Sequence, residues 1–178
     1  SALPPPASSM SCVVYSFGIR DDFSFDEALA NRGCEVHGFD PSPAGLESRP
    51  QYKKQVKGGA YHSYGVGAVD GAYPPGKVPF QWPGIGYLRE TNTEEWTLFS
   101  VGTIMKSLGH ERVHVLKMDV EGTEWDALPD IVDHPERWDQ LLIELHFPPK
   151  EYEVTKGGHG GFEVRFTGMN RRGPDRVA

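Results

Sequence analysis

Residues 12–40 constrain this chain most. Cys12-Val13-Val14-Tyr15-Ser16-Phe17 is a short apolar run that stops at Gly18, with the length and character of a buried strand. Ser24-Phe25-Asp26-Glu27 then gives a capping-box pattern, Ser at the cap and Glu three residues on. Phe25, Ala28 and Leu29 share one helical face, and Gly33 ends the helix. Cys34 to Asp40 reads as a second strand, with Pro41 immediately after it. Strand, glycine turn, capped helix and strand within about thirty residues form a βαβ unit. Its crossover is right-handed, so the two strands lie parallel.

The second half repeats the alternation. Val101, Ile104, Met105 and Leu108 stand at i, i+3, i+4 and i+7, and Gly109 follows, which predicts an amphipathic helix with a stop. Val113 to Met118 reads as a strand ending at Asp119, Thr123 to Leu128 as a short helix, and residues 140–147 as a further strand. Between these halves the pattern weakens. A third strand is expected within Tyr61–Val69. Most of 58–96 reads as a long loop, since residues 58–92 alone hold eight Gly and four Pro. Phe80, Trp82, Tyr87 and Trp96 fall there, as a substrate lid or as the loop's own small core. Past Pro149 only Phe162 to Thr167 alternates as a strand.

The chain has 178 residues, which suits one domain. Residues 1–10 read as a disordered lead-in, 11–169 as the domain and 170–178 as a frayed polar tail. The net charge of −7 disfavours nucleic acid and anionic membrane surfaces. No apolar run approaches the ~18 residues of a membrane span. Ser1 to Met10 lack the basic start and apolar stretch of a signal peptide. The secretory pathway and the cytoplasm both remain open. Cys12 and Cys34, the two cysteines, open two strands expected to be neighbours about 4.8 Å apart. A disulfide and a pair of free buried thiols are both compatible with that placement. A bridge would imply a secretory compartment.

Three places can carry chemistry. Open α/β sheets bind nucleotides outside the carboxyl ends of their strands. Gly18 would let the backbone approach such a ligand, and Asp40, 22 residues later at a strand end, is placed to bind ribose hydroxyls. The plain alternative is a turn glycine and an acid that caps the next helix. Asp119 and Glu121, two apart, would share a face at the end of their strand. Glu144 and His146 repeat that spacing on the neighbouring strand, where histidine can serve as a general base.

These segments resemble a methyltransferase-like family related to FkbM-type methyltransferases. The resemblance rests on residues 12–19, 25–28, 33–42, 61–67, 115–125 and 140–147 and is most specific over Lys117–Glu124. It implies a Rossmann-like α/β sandwich with a mostly parallel sheet and S-adenosylmethionine as methyl donor. It makes Gly18 the surviving glycine of the donor loop and Asp40 the ribose acid. The implied donor-binding set adds Tyr15, Ser16, Phe17, Pro41, Gly67 and Asp119. The implied reaction is O-methylation of a small-molecule or carbohydrate hydroxyl, with Asp119, Glu121 and His146 as catalytic candidates. The family's sheet ends in a hairpin that looks incomplete in this chain. Metal is not read as required. If a divalent ion such as Mg²⁺ were held, Asp119, Glu144 and His146 would hold it. A non-catalytic, donor-binding domain used in protein interaction is the competing reading, and an NAD-type dehydrogenase a third.

Overall fold

The computed structural model describes residues 12–73, 95–146, 152–156 and 162–166. The expectations for residues 1–10 and 170–178, and for Phe80, Trp82 and Tyr87, lie outside these.

Strand β1 (Val13–Phe17), helix α1 (Ser24–Ala30) and strand β2 (Glu35–Phe39) form the anticipated βαβ unit, with β1 and β2 parallel from Val13↔Glu35 to Phe17↔Phe39. That register sets Cys12 beside Cys34, and they form a disulfide with Cα atoms 4.5 Å apart. The start of α1 differs from the sequence reading. Phe23 takes the cap position, and Ser24 is the first helical residue. The Asp22 carboxylate accepts the Ser24 N–H at 3.0 Å in place of a Ser cap, because an Asp two residues ahead reaches that amide more directly.

Helix α2 (Pro43–Gln55) is capped by Ser42, whose hydroxyl accepts the Gly45 N–H at 3.1 Å. It lies where the sequence pattern was weak. Its buried residues are Gly45 and Tyr52, and Pro50 sits inside it, so it shows no apolar stripe. Strands β3 (Ala60–His62), β4 (Gly65–Val66), β5 (Gly71–Tyr73) and β6 (Trp96–Phe99) follow. Helix α3 (Val101–Leu108) begins at a Ser100 cap and stops at Gly109 as its periodicity predicts. Strand β7 (Val113–Met118) is followed by helix α4 (Glu124–Asp133), which runs on through Pro129 past its expected end. A 3₁₀ turn (Pro135–Arg137) leads into strand β8 (Trp138–Ile143). Strand β8 ends before Glu144, so Glu144 and His146 lie beyond it. Strands β9 (Tyr152–Lys156) and β10 (Phe162–Phe166) form an antiparallel hairpin paired with each other. The C-terminal region thus holds two strands where the sequence suggested one.

The central sheet has the order β3-β2-β1-β7-β8 and is parallel throughout. Chain direction therefore reverses its march across the sheet between β1 and β7, which creates a switch point there. A second sheet, β4-β6-β5, is separate from it. Alternation along β1 divides the core. Val13, Tyr15 and Phe17 pack with Val101, Ile104, Met105, Ala127 and Ile131 from α3 and α4. Ile19, Phe23, Tyr52, Val56 and Tyr61 form the cluster that involves α1 and α2.

Two predictions arise here. The Cys12–Cys34 bridge closes a span of 22 residues, for which loop entropy gives about 3 kcal/mol of stabilisation. Double replacement by serine should lower the urea unfolding free energy by about that amount. A loss under about 0.5 kcal/mol would show that the bridge does not constrain the unfolded chain. The second concerns Asp26, buried in α1, which accepts the Tyr52 hydroxyl at 2.9 Å. Burial raises its carboxyl above the ordinary value, opposed by the hydrogen bond from Tyr52. The folded state then holds this proton more tightly than the unfolded one. Stability is lost as pH rises from the unfolded value through the raised folded value. Asp26→Asn keeps an acceptor for Tyr52 and removes the charge. It should be more stable than wild type at neutral pH, with the advantage shrinking as pH falls through the raised value toward about pH 4. Equal stability differences at both pH values would refute this.

Candidate functional site

At the switch point the ends of β1, β2 and β7 open into a cleft of about 460 Å³, within the ~300–1,000 Å³ typical of small-molecule sites. Phe17 and Phe39, stacked with ring centroids 4.4 Å apart, form part of its wall. Gly65, Val66, Trp96 and Leu98 bring the β4–β6 sheet against it. Its acids are Asp21, Asp22, Asp40, Asp119 and Glu121, and its cations Arg20 and Lys117. This excess of carboxylate favours a positively charged ligand group.

Gly18 ends β1 with φ +76° and donates its N–H to the Phe39 carbonyl at 2.9 Å. A Cβ there would run into the Asp119 carbonyl. The glycine is therefore required by the close approach of two loops. Asp40 is buried. Its Oδ2 accepts the Arg20 N–H at 2.7 Å, and its Oδ1 accepts the Ser42 N–H at 2.8 Å and the Ser42 hydroxyl at 2.6 Å. Asp40 thus ties the β1–α1 loop to the cap of α2, which is much of what the plain reading of this acid foresaw. A carboxylate offers about four lone-pair sites, so Oδ2 keeps capacity for one further donor on the cleft side.

Of the residues that the resemblance assigns to the donor, Phe17, Gly18, Asp40, Pro41 and Asp119 line the cleft. Tyr15, Ser16 and Gly67 do not. Tyr15 is buried in the α3/α4 core with its hydroxyl 2.7 Å from His110 Nδ1. Ser16 is buried on the opposite face of β1. Gly67 packs against Leu98 and donates to the Phe99 carbonyl at 3.0 Å. Alternation along a strand explains the first pair, because only its terminal residue reaches the open end.

The second group gathers around His146. Its Nε2 lies 3.8 Å from Asp119, 3.4 Å from Glu121 and 3.7 Å from Glu144. The route to this arrangement differs from the sequence argument. Asp119 and Glu121 lie beyond β7, and Glu121 has φ +55°. A left-handed turn, not strand alternation, brings both acids to the cleft. Glu144 is largely exposed, while its N–H still donates to the Met118 carbonyl at 2.9 Å. Asp119, Glu144 and His146 offer ligand atoms within 4.8 Å of one another, a spacing compatible with a cation.

Sequence reasoning missed Glu124. It is fully buried at the first turn of α4. Its Oε2 accepts the Gly122 N–H at 2.7 Å, and its Oε1 accepts the His146 N–H at 2.6 Å and faces His146 Nδ1 at 3.0 Å. A proton on Nδ1 is thereby favoured, which leaves Nε2 as the basic nitrogen facing the acids. Trp125 Nε1 donates to the His146 carbonyl at 2.7 Å and completes the clamp. The available signal was an acid two residues after Gly122 at a helix start.

A parallel sheet of this order, with helices on both faces and a cleft at its switch point, defines a Rossmann-like α/β domain. Residues 7–170 match the family described as a methyltransferase domain, and the chain belongs to that family. It is 34% identical over 161 residues to the human probable methyltransferase-like protein 24, covering 87% of this chain and 37% of that protein. The rat protein of the same name is 33% identical over 158 residues, covering 87% and 38%. The chain thus spans less than two fifths of the length of these relatives. No solved structure matches it.

Proposed function

We propose that the domain transfers a methyl group from S-adenosylmethionine to a hydroxyl oxygen of a small molecule or carbohydrate. One observation carries this reading. The cleft at the switch point joins a strand-end acid with a spare lone pair, Asp40, to the Asp119–Glu121 pair backed by His146. When bound, the cofactor supplies a methyl group on a cationic sulfur. The acid-rich lining suits such a charge, and the cleft volume suits the donor. Asp40 Oδ2 would accept a ribose hydroxyl. Phe17, Phe39 and Pro41 would cover apolar surface, and the Gly18 turn would bring the backbone close.

The protein's task is then chiefly alignment of the two reactants. His146, oriented by Glu124, would take the acceptor's proton at Nε2, directly or through Asp119 or Glu121. The excess negative charge supports a cleft that does not take nucleic acid. The Cys12–Cys34 bridge supports an oxidising compartment. Among the described residues no helix is long and apolar enough to cross a membrane.

Calorimetry with S-adenosylmethionine, S-adenosylhomocysteine and NAD tests the reading. Binding of the first two and not of NAD is expected, followed by label transfer from methyl-labelled donor to a hydroxylated acceptor. Binding of NAD alone, or of none, would end it. Donor binding without transfer to any hydroxyl would leave a non-catalytic donor-binding domain. Asp40→Ala should weaken donor binding by about 1.5–3 kcal/mol, roughly 10- to 150-fold. Its melting temperature should be measured in parallel, because Asp40 also holds Arg20 and Ser42. Unchanged affinity would remove Asp40 from the donor site.

A further inference from the structure

Away from the cleft, near the amino-terminal end of β2, lies a second group of ligating side chains. We propose that Glu35, His37 and His110 form a zinc site. Their ligand atoms all lie within 4.8 Å of one another. His37 Nε2 is 3.1 Å and His110 Nε2 3.4 Å from the same oxygen, Glu35 Oε1. Ligands of a tetrahedral Zn²⁺, each about 2.0–2.1 Å from the metal, stand roughly 3.3 Å apart. The two observed separations match that edge, so an ion enters with small side-chain adjustments. Two histidines and a glutamate with one position left for water is an established zinc donor set. The glutamate is about half exposed, at 46%, and the histidines are 8% and 13% exposed. The site is thus open to solvent on one side and walled on the other.

The outer partners strengthen the inference. Histidines that bind metal through one nitrogen almost always have the other held by a hydrogen bond. His110 Nδ1 meets the Tyr15 hydroxyl at 2.7 Å. His37 Nδ1 meets His62 Nε2 at 2.9 Å, and His62 Nδ1 meets the Tyr64 hydroxyl at 3.2 Å. The row runs Tyr15, His110, Glu35, His37, His62, Tyr64, and it has two complete proton orders. Without metal, each hydroxyl and N–H donates inward, so that both Nε2–H groups point at Glu35. With metal, the Nε2 lone pairs face the ion. His110 then donates outward to Tyr15, and His37 donates through His62 to Tyr64. All three imidazoles are neutral in both orders. Zinc binding therefore reverses the donors along the row without requiring a histidine to change charge.

The site would fasten β2 to the turn after α3, one residue from the disulfide at Cys34. Through His62, which stacks on Phe39 with centroids 4.6 Å apart, it reaches the wall of the cleft.

The test is titration of the EDTA-treated, dialysed chain with Zn²⁺ and with Co²⁺. One equivalent of Zn²⁺ should bind and raise the melting temperature, and Co²⁺ should give the intense visible bands of four-coordinate metal. Glu35→Gln and His110→Gln should each weaken Zn²⁺ binding at least about tenfold. Tyr15→Phe preserves the buried ring and should weaken it by about tenfold through the outer bond. Glu144→Gln should leave Zn²⁺ affinity unchanged, since Glu144 stands with Asp119 and His146 in a separate group. Absence of saturable uptake, a weak six-coordinate Co²⁺ spectrum, or full affinity in the folded Glu35→Gln and His110→Gln proteins would overturn the proposal. So would loss of binding in Glu144→Gln, which would put the ion at the Asp119, Glu144 and His146 group.

Discussion

Gly18→Ala should destabilise the domain by about 2–5 kcal/mol and abolish a defined cleft. Two costs add. A residue with a side chain at φ +76° is strained by about 1–2 kcal/mol. The new Cβ also collides with the Asp119 carbonyl, and backbone cannot step aside as the end of a flexible side chain can. Overpacking of this kind typically costs 1–3 kcal/mol. Gly33 provides the control. It has φ +88°, and a Cβ there would meet nothing within 4 Å, so Gly33→Ala should show the conformational strain alone. The difference between the two variants in urea unfolding isolates the close approach of the β1 and β7 loops. Equal losses would show that the loops part easily. The cleft would then not depend on their contact.

The reason this glycine was legible shows where sequence reasoning works. A βαβ unit imposes periodicity and punctuation on about thirty consecutive residues, and Gly18 and Asp40 occupy the ends that the topology exposes. The parallel pairing, the Cys12–Cys34 proximity and helix α3 followed from the same local signals. Helix α2 did not, because burial of little more than Gly45 and Tyr52 leaves no stripe to detect. The capping box at Ser24 failed through competition, since Asp22 reaches the helix start first. At the second half of the site the residues were legible and the geometry was not. Asp119, Glu121, Glu144 and His146 do converge, yet by a left-handed turn and a segment past β8, neither of which has a period. Glu124 was invisible for a different reason. An acid in the first turn of a helix ordinarily reads as a solvated dipole partner, and only the tertiary fold shows that this one is buried.

Glu124 is also where the largest single side-chain effect is expected. Its two oxygens accept the Gly122 N–H, the His146 N–H and the proton of His146 Nδ1. Glu124→Ala would strand these donors around a side chain that is itself fully buried. Each buried donor left unpaired costs about 1–3 kcal/mol, so a loss of about 3–5 kcal/mol is expected in urea unfolding. Glu124→Gln is the more informative change. Its single amide oxygen can serve the His146 side or the Gly122 side, and its NH₂ must then oppose an N–H on the other. The loss should be smaller, about 1–3 kcal/mol, and the protein should remain folded. With the Nδ1 partner weakened, the imidazole proton is free to shift to Nε2, the nitrogen that faces Asp119 and Glu121. Nitrogen-15 NMR of the His146 ring should therefore report Nδ1–H in the wild type and a mixture in Glu124→Gln. A tautomer unchanged in that variant would show that Glu124 supports the fold without orienting His146. Stability of Glu124→Ala within about 0.5 kcal/mol of wild type would show that the buried clamp is not formed at all.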